Sequence, residues 1–342
     1  EMLHMTIVAN VLNAIGGSPS VDKPSFIPTF PLPLPLTNVS VNLKALSDGL
    51  IQMFMLIEST TRRSKSIGAA YEYILSLLDA LCEQYGEKAV FHGNPFLQVD
   101  AMGWVSGVYC TDDCDPVPPL TTIQEPPAHS THSFPSHFFS HTLTYVIQAP
   151  KINTLADAIS GLLGIAEQGG GCPVPGKEEL WPQVSNISNG PLTSSSTAPL
   201  LLSHWARFAE INAGKQFLAS DSVEGGPHGA AVDTNWSAVR MFKANPRVED
   251  YPANSNARTL AHYFAANYTS ILVMLHNVFN GAPQNYAATL GVMHQISVNA
   301  ATVLATPDPL RPGFGVGPTW QYVSSESQYA ARGGKARPIV EA

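Results

Sequence analysis

Glu1 and His4 are the residues at which chemistry would start. Three positions apart on a helix, they lie on one face about one turn apart. Glu-x-x-His is the spacing by which four-helix bundles hold a pair of iron or manganese ions. Imidazole and carboxylate suit those metals, and the carboxylate can bridge two of them. The same four residues also arise by chance as a surface pair, so the element carrying them decides their weight. Leu3, Ile7, Val11 and Ile15, with Val8 and Leu12 beside them, give broad apolar coverage at helical spacing. Gly16-Gly17 ends this run and Pro19 blocks its resumption, so a buried bundle helix is expected.

The composition agrees with a large buried core. Of 342 residues, 44% are hydrophobic and only 13% charged, far from the profile of a disordered chain. A net charge of −8 argues against a nucleic-acid partner, and basic residues cluster only at Arg62-Arg63 and from Arg332 to Arg337. No stretch reaches the roughly 18 uninterrupted apolar residues of a membrane span. Cys82, Cys110, Cys114 and Cys172 are too few for a disulfide framework, although a short-loop disulfide between Cys110 and Cys114 is plausible. Glycosylation sequons fall at Asn38, Asn186 and Asn235, and a fourth at Asn267 lies inside an expected helix. They leave a secreted or extracellular location open without establishing it.

After the first helix, Pro24 to Pro35 reads as an extended connector. Leu43, Leu46, Leu50, Phe54 and Ile57 recur at helical steps, giving an amphipathic helix that ends near Glu58. Ile67, Tyr71, Ile74, Leu78 and Leu81 mark the next, stopped at Gly86. Residues 87–150 break the pattern as a loop insertion in which only Leu143 to Ile147 reads as a strand. Its histidines, His129, His132, His137 and His141, match no zinc-ligand spacing and read as loop residues. Asn153 or Thr154 caps a helix buried through Leu155, Ile159, Leu162 and Ala166. A second insertion spans 172–198, and Pro199 opens a helix holding His204 and Phe208. Two long apolar stripes, Leu260 to Val278 and Tyr286 to Val303, form a helical hairpin over 255–306. The expectation is one all-α domain, 1–342, a helical bundle with long irregular loop insertions.

The phrases Glu1-Met-Leu-His-Met5 and Asn10-Val-Leu-Asn-Ala-Ile-Gly-Gly-Ser-Pro19 together resemble the ferritin-like family of the iminophenyl-pyruvate dimer synthase type. Ser66-Ile-Gly-Ala-Ala-Tyr71, Ile165-Ala-Glu-Gln-Gly-Gly-Gly171, Ser203-His-Trp-Ala-Arg-Phe208 and Gly317-Pro-Thr-Trp-Gln-Tyr322 follow in the family's order. The resemblance implies a ferritin-like bundle, bound iron or manganese, and oxidative coupling of amine-derived imines. It also implies a further bundle helix with a ligand glutamate ahead of Glu1, which would come from upstream of residue 1 or from another chain. His204 matches the histidine of the family's second Glu-x-x-His pair.

Three of the family's acids are replaced. Leu201 stands where the partner glutamate of His204 is expected, Ala69 where Ile-Gly-Glu-Phe-Tyr has its acid, and Gly170 where Gln-Gly-Glu-Gly has its own. None of these can ligate a metal through its side chain. Glu72, one turn beyond Ala69, is the best substitute, ahead of Glu210 and Glu167, which read as ordinary surface carboxylates. The metal ligands expected are therefore Glu1, His4, His204 and Glu72. Glu1, His4 and His204 alone have the two-histidine, one-carboxylate composition of mononuclear non-haem iron sites. The same three could equally form a buried, mutually hydrogen-bonded polar cluster without metal.

Other chemistries find no support. Gly-x-Ser-x-Gly and the P-loop are absent, and Gly169 to Gly171 follow a helix rather than open one. His262, His276 and His294 read as ordinary helical histidines, and His228 sits in a glycine-rich loop without an evident partner. Two functions remain. The loss of three acids favours a degenerate ferritin-like protein with a non-catalytic structural, binding or assembly role, with a protein partner or a second copy, compatible with a secreted glycoprotein. The alternative is a ferritin-like oxidase or oxygenase using iron, di-iron or mononuclear, or manganese on a small amine or imine.

Overall fold

The computed structural model describes residues 1–34, 40–58, 67–108, 142–149, 151–169, 202, 204–218, 221 and 225–324. Among them the chain is mostly helical, an all-α architecture. The helices are α1 (Met2–Ala14), α2 (Asp48–Glu58), α3 (Ile67–Tyr85), α4 (Glu87–Val90), α5 (Leu155–Gly169), α6 (His204–Ala213), α7 (Asn256–Phe279) and α8 (Tyr286–Ala305). They fall into two compact units. The first comprises Glu1–Val11, Ser47–His92 and Asp100–Thr234, and the second Leu12–Leu46, Gly93–Val99 and Asn235–Ala342.

In the first unit four helices close a ring. The α2 helix packs along α6, α6 meets α5, α5 packs along α3, and α3 meets α2. Phe54 and Phe208 join α2 to α6 with ring centroids 5.1 Å apart. Ala206, Ala209 and Phe217 are buried beside them, with Met55, Leu202 and Trp205 against that cluster. Ala158, Leu162 and Ile165 form the buried stripe of α5, and Leu78 is buried on α3. The α5 start is a reciprocal box, in which Thr154 Oγ1 accepts from the Asp157 N–H and the Asp157 carboxylate accepts from the Thr154 N–H.

The α2 helix begins at Asp48 rather than at Leu43. Ser47 Oγ accepts from the Leu50 N–H, 3.3 Å, and so halts the helix one residue ahead of Asp48. A local cap outweighs the apolar spacing of Leu43 and Leu46. Within 87–150, α4 is a short helix in what reads as loop, and two antiparallel strands are present instead of one. They pair from Ala101↔Ala149 to Val108↔Thr142. Gly103 and Gly107 interrupt the first strand's pattern, which is why it does not read as a strand. The histidine cluster, Cys110, Cys114, Cys172, Asn38 and Asn186 lie outside the described residues.

His228, without a partner in the sequence, does have one. Asp221, buried, accepts from the backbone N–H of Leu218 and His228 and contacts His228 Nδ1 at 3.0 Å. Burial would raise the Asp221 pKa, but these hydrogen bonds outweigh it and hold the carboxyl below its ordinary range.

In the second unit the expected hairpin is α7 and α8, with Ser255 Oγ capping α7 through the Arg258 N–H. Val248, Tyr251, Ala257, Ala261, Phe264, Ala265, Val303, Val316 and Val323 form its core. Trp320 stands edge-on to Phe264 and Tyr268, with centroids 5.0 and 4.8 Å away. The whole phrase 317–322 is tied down. The Gly317 N–H donates to Tyr251 Oη, Thr319 Oγ1 donates to the Ala261 carbonyl, and Gln321 Oε1 accepts from the Val248 N–H. This stretch therefore serves packing. His276 likewise meets Asp22 at 3.2 Å.

Candidate functional site

The residues that could do chemistry gather at helix ends in the first unit. Glu1 precedes α1 and His4 lies in its first turn, Glu58 is the last residue of α2, His204 is the first of α6, and Tyr71 is in the second turn of α3. Leu3, Ile7 and Val11 bury α1 and fix its orientation. Glu1 Oε2 lies 3.3 Å from His4 Nδ1. His4 is buried at 8% exposure, whereas the Glu1 side chain is 81% exposed, so the pair opens to solvent on the glutamate side.

His4 and His204 bring their rings to 6.5 Å between centroids, tilted by 41°. On its other side His204 faces Glu58, whose Oε2 is 3.8 Å from His204 Nδ1. The Glu58 side chain is 20% exposed and that of His204 37%. The site is thus two carboxylate–imidazole pairs with the imidazole centroids 6.5 Å apart.

Its electrostatics follow from this arrangement. The hydrogen bond with His4 is the strongest influence on Glu1. Burial opposes it, and the electrostatic influence of His4 and His204 adds to it, so the pKa falls from 4.5 to about 2. Tyr71 shifts the other way, because burial and then the negative charge of Glu1 keep the proton on its phenol.

Donor types and spacing can be tested against a metal ion. Two donors on one ion with bonds of about 2.1 Å stand about 3.0–3.4 Å apart at octahedral or tetrahedral angles. The Glu1–His4 separation of 3.3 Å falls in that range, and the Glu58–His204 separation of 3.8 Å lies just beyond it. Two imidazoles on opposite sides of one ion have centroids about 6.5 Å apart, the separation of His4 and His204. The donor types suit iron or manganese, but of the two carboxylate–imidazole pairs only Glu1–His4 stands at ligand spacing. Among the described residues, however, no three His, Cys, Asp or Glu already converge at ligand spacing.

Of the four ligands expected from sequence, Glu1, His4 and His204 therefore come together. Glu72 lies on α3 and its side chain is outside the described part, as is that of Glu167. Glu210 is spent locally, since its Oε1 accepts from the Phe217 N–H at 2.8 Å. Glu58 was not legible as a site residue, because nothing in the local sequence links it to His204.

The three-residue sequon at Asn235 is exposed, with Ser237 Oγ donating to Asn235 Oδ1 at 2.6 Å. At Asn267 the sequon threonine, Thr269, is 1% exposed and donates to the Ala265 carbonyl. Among the described residues no helix is long and apolar enough to cross a membrane.

Comparison with curated proteins and with solved structures finds no match to the chain. A family model described as Ferritin-like matches residues 1–124. That stretch, which holds Glu1, His4, Glu58 and Tyr71, is similar to the ferritin-like family.

Proposed function

We propose that the ferritin-like part of the chain is a metal-binding bundle, centred on Glu1, His4 and His204, that serves an oxidation of a small organic substrate. One observation carries this reading. Glu1 and His4 sit at the spacing of adjacent donors, and a second imidazole from a different helix stands 6.5 Å from the first. When bound, iron or manganese supplies redox and Lewis-acid chemistry. Glu1 stays ionised down to about pH 2 and so keeps the negative charge that a cation requires. Buried His4 holds its ring in place from the first turn of α1. Tyr71 keeps its proton through the neutral range, so it can donate a hydrogen bond to a substrate anion entering beside Glu1. The resemblance to the iminophenyl-pyruvate dimer synthase type supports an amine or imine as that substrate.

The test is an electron paramagnetic resonance titration with Mn(II), in which binding removes the free-ion signal. Wild type is expected to bind, and His4→Ala and His204→Ala to bind weakly or not at all. Equal behaviour of all three would overturn the reading.

A second reading is a non-catalytic structural or assembly role, with a protein partner or a second copy. It is favoured by a specific observation: no three described donors yet converge, and acids are absent at Ala69, Leu201 and Gly170. The exposed sequon at Asn235 supports a secreted glycoprotein in that case.

A further inference from the structure

Helix α3 carries more apolar surface than its packing covers. Its inner side runs through Tyr71, Leu75, Leu78 and Cys82, with Leu78 buried and the others half-buried. A second apolar ridge, Tyr73, Leu77, Leu81 and Tyr85, faces solvent at 60, 46, 40 and 60% exposure, with Ile74 beside it at 40%. At roughly 200 Å² for a fully exposed side chain of this size, the five present about 500 Å² per copy. A contiguous apolar patch of that size marks an interaction site. We infer that this ridge is where two copies of the chain meet, with α3 lying antiparallel on the α3 of a second copy about a two-fold axis.

The order of the residues identifies the occupant. In a two-fold pair, residue i faces residue j of the partner and residue j faces the partner's residue i. The ridge reads Tyr-Leu-Leu-Tyr at four-residue steps in either direction along the helix. About its midpoint, at the level of Asp79, Tyr73 falls opposite the partner's Tyr85 and Leu77 opposite the partner's Leu81. Ridges of four-residue spacing interdigitate at a crossing angle of about −50°, which puts the leucines at the crossing and the tyrosines at its edges. Interfaces are built in this way, apolar at the centre, with tyrosine where a hydroxyl can still reach water. Asp79 and Glu83, each two residues past a ridge leucine, lie about 200° further round the helix, so no like charges meet at the axis. The ridge alone, counted on both copies, gives about 1,000 Å², the size at which specific interfaces begin. A negatively charged membrane surface fits less well, because α3 has no lysine or arginine and its polar side is acidic.

The experiment is sedimentation equilibrium of the full chain over about two decades of concentration around 10 µM, for wild type, Leu77→Glu, Leu81→Lys and the double variant. Wild type is expected to dimerise, and each single variant to weaken association about 100-fold or more, because the two-fold buries its charge twice. The double variant sets opposite charges against each other in both halves of the contact and is expected to recover most of the association. Both leucines are solvent-exposed within one chain, so far-UV circular dichroism should be unchanged in every variant. Wild type monomeric throughout, or a dimer that Leu77→Glu leaves intact, would overturn the α3 contact. Loss in both single variants without recovery in the double would overturn the antiparallel two-fold pairing. The pairing is independent of metal at Glu1, His4 and His204, so its failure leaves that reading untouched.

Discussion

Tyr251→Phe isolates one hydrogen bond in the second unit. Tyr251 is 1% exposed, and its Oη accepts the Gly317 N–H at 2.8 Å in a fully buried contact. Phenylalanine fills the same space, so no cavity opens, and the change removes only the acceptor. Gly317 cannot turn toward water, since even a Cβ there would meet Pro246 Cγ at 2.6 Å and Phe242 Cδ2 at 2.8 Å. The stranded N–H should therefore cost the desolvation penalty of a buried donor, about 1–3 kcal/mol. Tyr251→Ala adds a cavity and should cost about 3–5 kcal/mol. Urea denaturation followed by circular dichroism reads both. A Tyr251→Phe stability within about 0.5 kcal/mol of wild type would refute the claim that phrase 317–322 is held by this packing.

Three further outcomes follow from the same geometry. The folded pKa of Glu1, about 2, lies below its ordinary 4.5. The contribution of its contacts is therefore complete above about pH 4.5 and lost as the pH falls through 2. In His4→Gln the Glu1 carboxyl, followed by NMR, should titrate nearer its ordinary value; an unchanged midpoint would contradict the pairing. Thr154→Ala removes the α5 cap and should cost about 1 kcal/mol, read by thermal melting. In a secretory host, mass spectrometry should find a glycan at Asn235 and none at Asn267, because the hydroxyl of Ser237 is exposed and that of Thr269 is buried.

Helices whose signal is local periodicity were legible in the sequence. The α7–α8 hairpin, α3, α5 and α1 all carry one-sided apolar stripes with glycine, proline or threonine at their ends, and each forms close to where it was expected. Errors arose where a local cap or a long-range pairing decides. Ser47 sets the start of α2, and the Ala101–Val108 strand exists through its partner at Thr142–Ala149. In the site, Glu1 and His4 were legible because one helical turn joins them. Their meeting with His204 was legible only by resemblance, and Glu58 not at all, since its contact with His204 arises from the packing of α2 on α6. The Asp221–His228 pair was hidden for a similar reason: a loop brings it together.

The central claim is that the α1 and α6 histidines hold a metal. Elemental analysis of protein purified from its natural host, with the intact mass taken on the same sample, tests it most directly. The account predicts about one or two iron or manganese ions per chain, lost from His4→Ala and His204→Ala. A chain of the same mass with no stoichiometric metal, before or after loading with Fe(II) or Mn(II), would contradict it.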